Sequence, residues 1–156
     1  RPCSGYRGGM NRAALDAAFR ATSYRVVTPE GIFALRIGVA DAAFDAFLYR
    51  EVTLGQSLGS TGRAIHWGIV TAYNPGVLLS TEENQLRQQR LHDRIAAAGW
   101  RFLRGCNLAD DDLWPAEPSC LLLHVDEGQL RILGREFDQL AVVCGRTGTA
   151  PRLLWI

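Results

Sequence analysis

Lysine is absent from the chain: its 17 basic residues are all arginine. Without a lysine amine the chain cannot form a Schiff base or use lysine as a general base. Arginine in place of lysine, together with abundant alanine and glycine, is typical of a GC-rich genome, so we predict a bacterial protein. The formal net charge is only +1. It gives no electrostatic reason to expect nucleic acid or an anionic membrane as a partner.

Long apolar segments and paired cysteine motifs are also lacking. No apolar run approaches the roughly 20 residues that cross a bilayer, and no secretory signal pattern is found. The four cysteines form no CxxC pair, and the three histidines lack the spacing of metal ligands. We therefore expect a cytoplasmic protein without a metal, another cofactor or a membrane partner. The sequence predicts no oligomeric state.

The composition is that of an ordinary globular protein, with 47% hydrophobic and 21% charged residues. A length of 156 residues suits one domain, and we predict a single α+β domain over residues 10–156. Residues 1–9 show no periodicity and are predicted to be a flexible leader or a cloning remnant. The glycine-rich stretch 55–62 is predicted to be a linker or a mobile flap. A phosphate-binding loop is the alternative there, although the Lys-Ser/Thr ending is missing.

The apolar run from Ile65 to Val70 is rich in β-branched and aromatic residues and predicts an interior strand within residues 64–73. Pro75 ends this strand because proline cannot donate to a strand ladder. A helix is predicted over residues 81–98, with Ser80 or Thr81 as its cap and Gly99 after its end. At 100° per residue, one helix face is polar at the top and apolar below: Asn84, Arg87, Leu91, Ile95 and Ala98.

From residue 64 onward the predicted order is strand, helix, strand, strand, helix, strand. This order is typical of the split βαβ unit of ferredoxin-like folds, with an antiparallel sheet and both helices on one face. We predict such a unit over residues 64–145, with further strands at 100–106, 120–125 and 140–144 and a helix at 127–137. An N-terminal helix and strand extension precedes it, and an extra strand at 152–155 follows. The alternative is a mixed, partly parallel, three-layer α/β sheet.

Three motifs together resemble a family of small bacterial proteins catalogued as domain of unknown function 3293. They are the stretch 67–75, followed by Ser80, Asn84 and Arg87; then Glu117-Pro118-Ser119; then Phe137-Asp138-Gln139-Leu140-Ala141. The likeness covers nearly all of the chain after about residue 20, and Thr-Ala-Tyr-Asn-Pro is its most specific part. The family often has glycine where this chain has Asp138. It carries no established activity, so the resemblance implies motif positions and no mechanism.

A polar cluster around the end of the interior strand is the candidate ligand-binding site. Its members are Thr71, Tyr73, Asn74, Ser80, Asn84, Arg87, Glu117, Ser119 and Gln139. A guanidinium can hold a carboxylate or a phosphate through two hydrogen bonds, and a helix N-terminus favours the same charge. We therefore predict a small, polar, anionic ligand, such as a nucleotide-like molecule, between Thr71 and Arg87.

The alternative is a protein or RNA interaction module in which the polar cluster is purely structural. Arg87 would then pair with Glu117, and the asparagines would bind the backbone groups of the turn. Glu117 is also a candidate for a catalytic general base. A single carboxylate does not establish that the protein is an enzyme.

Overall fold

The computed structural model describes residues 9–53, 63–112 and 114–156. Apart from Gly9, the predicted leader lies outside these residues, as does the glycine-rich stretch 55–62. The described residues form an α+β fold of four helices and one antiparallel sheet of seven strands. The helices are Arg12–Arg20 (α1), Ala42–Thr53 (α2), Thr81–Ala98 (α3) and Glu127–Glu136 (α4). The strands are Thr22–Thr28 (β1), Gly31–Leu35 (β2), His66–Val70 (β3), Phe102–Ala109 (β4), Glu117–Leu123 (β5), Ala141–Arg146 (β6) and Arg152–Trp155 (β7).

The order of the strands in the sheet is β2-β1-β4-β5-β3-β6-β7, and every neighbouring pair is antiparallel. β3 is hydrogen-bonded to β5 on one side and to β6 on the other, so the prediction of an interior strand is confirmed. In the alternative, the partly parallel pairing is wrong, because β5 lies antiparallel between β3 and β4, the two strands that α3 connects. Its three layers agree with the helices found on both faces of the sheet.

Helices cover both faces of the sheet, because successive side chains of a strand point to opposite faces. One apolar core joins α1 and α2 to the sheet through residues such as Phe19, Phe44, Trp67, Ile69 and Leu121. The other joins α3 and α4 to the sheet through residues such as Val70, Leu91, Ile95, Leu122 and Leu130. α3 and α4 therefore share one face, as predicted.

The ends of α3 follow from local sequence signals. The Ser80 hydroxyl accepts a hydrogen bond from the Glu83 backbone, and the Glu83 side chain accepts one from the Ser80 backbone. Gly99 ends the helix with a φ of 69°. The predicted face of the helix is wrong at its lower end, because Ala98 is exposed. The buried face passes through Gln88 instead: Asn84, Gln88, Leu91 and Ile95.

Two predicted strand boundaries also change. β4 continues to Ala109, beyond the predicted end at residue 106, so Asn107 belongs to the sheet. β5 already begins at Glu117. Pairing with neighbouring strands extends both elements, since Asn107 lies opposite Tyr24 on one side and Glu117 on the other. None of the helices in the described ranges combines the length and the hydrophobicity that crossing a membrane requires.

Gly68 allows α4 to approach β3 closely. A Cβ atom at this position would lie 2.4 Å from Cδ2 of Leu130, which is far inside van der Waals contact. This contact therefore packs the middle of β3 directly against α4.

We expect Gly68→Ala to lower the free energy of unfolding by about 1–3 kcal/mol, because the new methyl group overpacks the α4 face. Urea denaturation measures the loss. Leu130→Ala, which removes the atoms in conflict, is expected to cost about 2–5 kcal/mol alone. The double variant should lose less than the sum of the two. Additive losses would show that the two side chains do not compete for one space.

Candidate functional site

The end of β3 and the segments around it bring most of the predicted polar cluster together. Thr71 and Tyr73 follow β3, and Asn74 lies in the turn behind them. Other elements place the remaining side chains: Ser80, Asn84 and Arg87 at the start of α3, Glu117 and Ser119 in β5, and Gln139 between α4 and β6.

Asn74 and Asn84 form a reciprocal pair that holds the turn. The Asn74 backbone N–H donates to Oδ1 of Asn84 at 2.9 Å, and Nδ2 of Asn84 donates to Oδ1 of Asn74 at 2.8 Å. The same Asn74 oxygen accepts from the Leu79 backbone at 3.0 Å. Both asparagines are buried. Asn74 adopts a φ of 45°, a left-handed conformation that asparagine tolerates better than most residues.

Glu117 is bonded to the turn and does not pair with Arg87. Its Oε1 accepts from Nδ2 of Asn74 at 3.2 Å, and the residue is only 1% exposed. The predicted Arg87–Glu117 pair is wrong because of strand alternation. Glu117 shares its face of β5 with Leu121, which packs toward α1 and α2. Arg87 belongs to α3 on the opposite face.

The Arg87 guanidinium is fixed by two backbone carbonyls. Its Nε donates to the Ala72 carbonyl at 2.8 Å, and its Nη2 donates to the Phe137 carbonyl. The carboxylate within ion-pair distance is that of Asp138, at 3.6 Å from Nη2. No described residue accepts a hydrogen bond from Nη1. The side chain remains 19% exposed, so an oriented cationic group reaches the surface.

The other cluster members bind mostly to backbone groups. The Thr71 hydroxyl donates to the Pro118 carbonyl at 2.7 Å and accepts from the Tyr73 backbone at 3.1 Å. Nε2 of Gln139 lies 3.3 Å from the carbonyls of Tyr73 and Phe137. Ser119 is buried opposite Gly105 of β4, and Tyr73 is half-buried.

Three residues near the site were missed from the sequence. The Gln88 side chain accepts a hydrogen bond from the Ala72 backbone at 3.0 Å. Its only sequence signal is its position four residues after Asn84. Asn107 was not identified, because the predicted strand ended at residue 106. Asp138 has a φ of 54°, a conformation that glycine adopts without steric cost. This explains the glycine expected from the family at that position.

The ionisable groups around the site offer little for nucleophilic chemistry. Hydrogen bonds from the backbone and hydroxyl of Ser80 lower the pKa of Glu83, which suits its capping role. Burial raises the pKa of the Cys120 thiol to about 12, and it also raises the pKa values of Cys106 and Cys144. These three thiols are therefore protonated near neutral pH and poor nucleophiles. In the described residues no three His, Cys, Asp or Glu side chains are grouped to hold a metal ion.

A small crevice adjoins the cluster on the α1 face of the sheet. Thr71, Asn107 and Gln139 line it, and its volume of about 20 Å³ is enough for one water molecule. Oδ1 of Asn107 is buried, and no described residue donates to it. A larger cavity of about 380 Å³ lies at the other end of β3. Arg87 lines neither of these two cavities.

A family model described as "Protein of unknown function (DUF3293)" matches residues 70–142. This match covers just under half of the chain. The matched stretch begins at the last residue of β3, ends within β6 and contains the whole predicted cluster. The resemblance inferred from the motifs is thus confirmed over residues 70–142. Comparison with curated proteins and with solved structures found no significant match.

We expect Asn84→Ala to lower the free energy of unfolding by about 1–3 kcal/mol, because it leaves buried polar groups of Asn74 without partners. Gln85→Ala is the matched control: Gln85 is exposed on the same helix, and its loss should stay within about 0.5 kcal/mol. Urea denaturation of both variants is the measurement. Equal effects would mean that the amide pair does not stabilise the turn.

Proposed function

We propose that the domain binds a small polar anion, through a carboxylate or a phosphate group, at the Arg87 guanidinium. The observation that carries the proposal is the geometry of this one side chain. Two carbonyls orient it, while the N–H groups of Nη1 are left without an acceptor among the described residues. A guanidinium fixed in this way loses little conformational entropy when an anion binds, and it can offer two parallel hydrogen bonds.

The position of Asp138 supports the proposal, because its carboxylate interacts with Arg87 as the anionic group of a ligand would. Its carboxylate lies 3.6 Å from Nη2 and is 70% exposed, so solvent screens the pair and its contribution to stability is small. A carboxylate or phosphate from a ligand would carry the same charge to the same nitrogen. It could also reach Nη1 and replace Asp138 without breaking a buried interaction.

A thermal-shift screen tests the proposal with inorganic phosphate, nucleotides, sugar phosphates and amino-acid derivatives. A ligand at about 100 times its Kd adds about 2.7 kcal/mol to the stability of the native state. For a domain of this length the melting temperature should rise by about 5–10 °C. Arg87→Gln should abolish the rise. Asp138→Asn should enlarge it at a fixed ligand concentration, because the competing carboxylate is removed while a residue that tolerates left-handed φ is kept.

Arg90→Gln is the matched control, because it makes the same charge change at an exposed position of α3. It should leave the shift unchanged. A shift that persists in Arg87→Gln, or that disappears equally in Arg90→Gln, would contradict the proposal. Stabilisation of the wild type by none of the anions would contradict it as well.

The second candidate is an interaction module in which the cluster only supports the scaffold. The observation favouring it is that the amides of Asn74 and Asn84 bond to each other and to backbone groups. Arg87→Gln should then lower the melting temperature of the free protein, since the hydrogen bonds to two carbonyls are lost. That result, combined with no anion-dependent shift in the wild type, would favour this candidate.

For the fold, we propose that residues 66–146 form a split βαβ unit. Three features support this: the strand order β4-β5-β3-β6, the antiparallel pairing throughout, and the position of α3 and α4 on one face. On this proposal β1 and β2 extend the sheet beyond β4, and β7 extends it beyond β6.

A further inference from the structure

A cavity of about 380 Å³ lies at the amino end of β3, the end of the strand away from Arg87. It is enclosed by the start of β3, the start of α4, the end of β6 and the turn into β7. Pockets that hold small organic molecules have volumes of about 300–1,000 Å³. The size of this cavity therefore suits a small molecule better than a single ion.

The walls of the cavity are held in place by specific hydrogen bonds. The turn after β6 is fixed on two sides, because the Ile65 backbone exchanges hydrogen bonds with Thr147 and the Gly148 N–H donates to Asp45 at 2.9 Å. The start of α4 is fixed by the reciprocal cap between Asp126 and Gln129. The cavity is thus built from constrained backbone and does not require a movement to form.

The lining of the cavity combines an apolar floor with a basic rim. Val125, Leu130 and Cys144 are buried and form part of the floor. His66, Arg146 and Arg152 belong to the rim. All three rim residues lie on the α4 face of the sheet, by alternation from Gly68 and Cys144.

The charges at the rim are only partly compensated. Arg152 forms an ion pair with Glu127. His66 and Arg146 are direct cross-strand partners, and both are exposed. Neither side chain forms a hydrogen bond or an ion pair with another described residue. Arg146 therefore offers a guanidinium without a carboxylate partner among the described residues, next to an imidazole that can also form a hydrogen bond.

We propose that this cavity binds an organic anion, in which a carboxylate, phosphate or sulfonate group meets Arg146 and His66 and an apolar body covers Val125 and Leu130. The guanidinium supplies the charge-assisted hydrogen bonds, and the apolar floor supplies the contact area. This site is separate from Arg87 and does not depend on the function proposed for that residue.

Anilinonaphthalene sulfonate is a suitable probe, because it joins one sulfonate to an aromatic body and fluoresces when it is bound in an apolar environment. We expect saturable binding at one site of the full chain. Arg146→Gln should weaken binding at least about tenfold, the loss expected for one charge-assisted hydrogen bond. Ala150→Trp, which places a large side chain in the cavity wall, should abolish it. Amide shifts at Gly145 and Thr149 on adding the probe should report the same site.

Two control variants separate this cavity from other surfaces. Arg90→Gln makes the same charge change elsewhere, and Ile32→Ser removes a side chain that is 63% exposed on β2. Binding should be unchanged in both. Binding that survives both Arg146→Gln and Ala150→Trp, or that is lost in Ile32→Ser, would overturn the proposal. Arg146 is exposed, so its variant is expected to fold even if Ala150→Trp does not.

Discussion

β3 is hydrogen-bonded to a strand on each side. Where the chain leaves the sheet at either end of β3, its backbone groups need hydrogen-bond partners other than strands. Buried N–H and C=O groups are costly when they are left unbonded. At the carboxyl end, Gln88, Asn84 and Arg87 of α3 bind the backbone of residues 72 and 74. At the amino end, Thr147 binds both backbone groups of Ile65. Each end of this one strand therefore gathers polar side chains, and each borders one of the two proposed binding sites.

The same interactions serve as scaffold and as candidate site at Arg87. Its bonds to two carbonyls join the end of β3 to the end of α4 and, by the same contacts, orient the remaining N–H groups. Structural and binding roles are therefore not exclusive for this side chain. They can be separated only when the stability of the free protein and the response to an anion are measured on the same variant.

Local signals were enough to predict the parts of the fold that depend on nearby residues. The capping of α3 by Ser80 and its end at Gly99 follow from side chains within one helical turn. β3 was recognised from its apolar, β-branched composition and from the turn signal behind it. The structure brings most of the predicted cluster together, because its motifs flank these well-marked elements.

The errors arise where contacts distant in sequence decide the outcome. The face on which Glu117 lies depends on the register of β5, and no local pattern showed that this face is opposite to α3. Asn107 joins the sheet because β1 and β5 pair with it from both sides. Whether Gln88 faces the sheet depends on how α3 is rotated about its axis. The packing of α3 against β3 and β5 determines that rotation.

The central position of β3 also bears on how the protein folds. Its partner β5 follows it in the chain only after α3, and its partner β6 only after α4. Its pairings therefore join segments that are far apart in the sequence. Such contacts close large loops and form slowly. Because β6 also supplies part of the basic rim, the cavity cannot exist before the carboxyl-terminal third of the chain has joined the sheet. When β3 has just been synthesised, it is therefore an exposed apolar segment. Neither of the binding sites proposed at its two ends has formed at that stage.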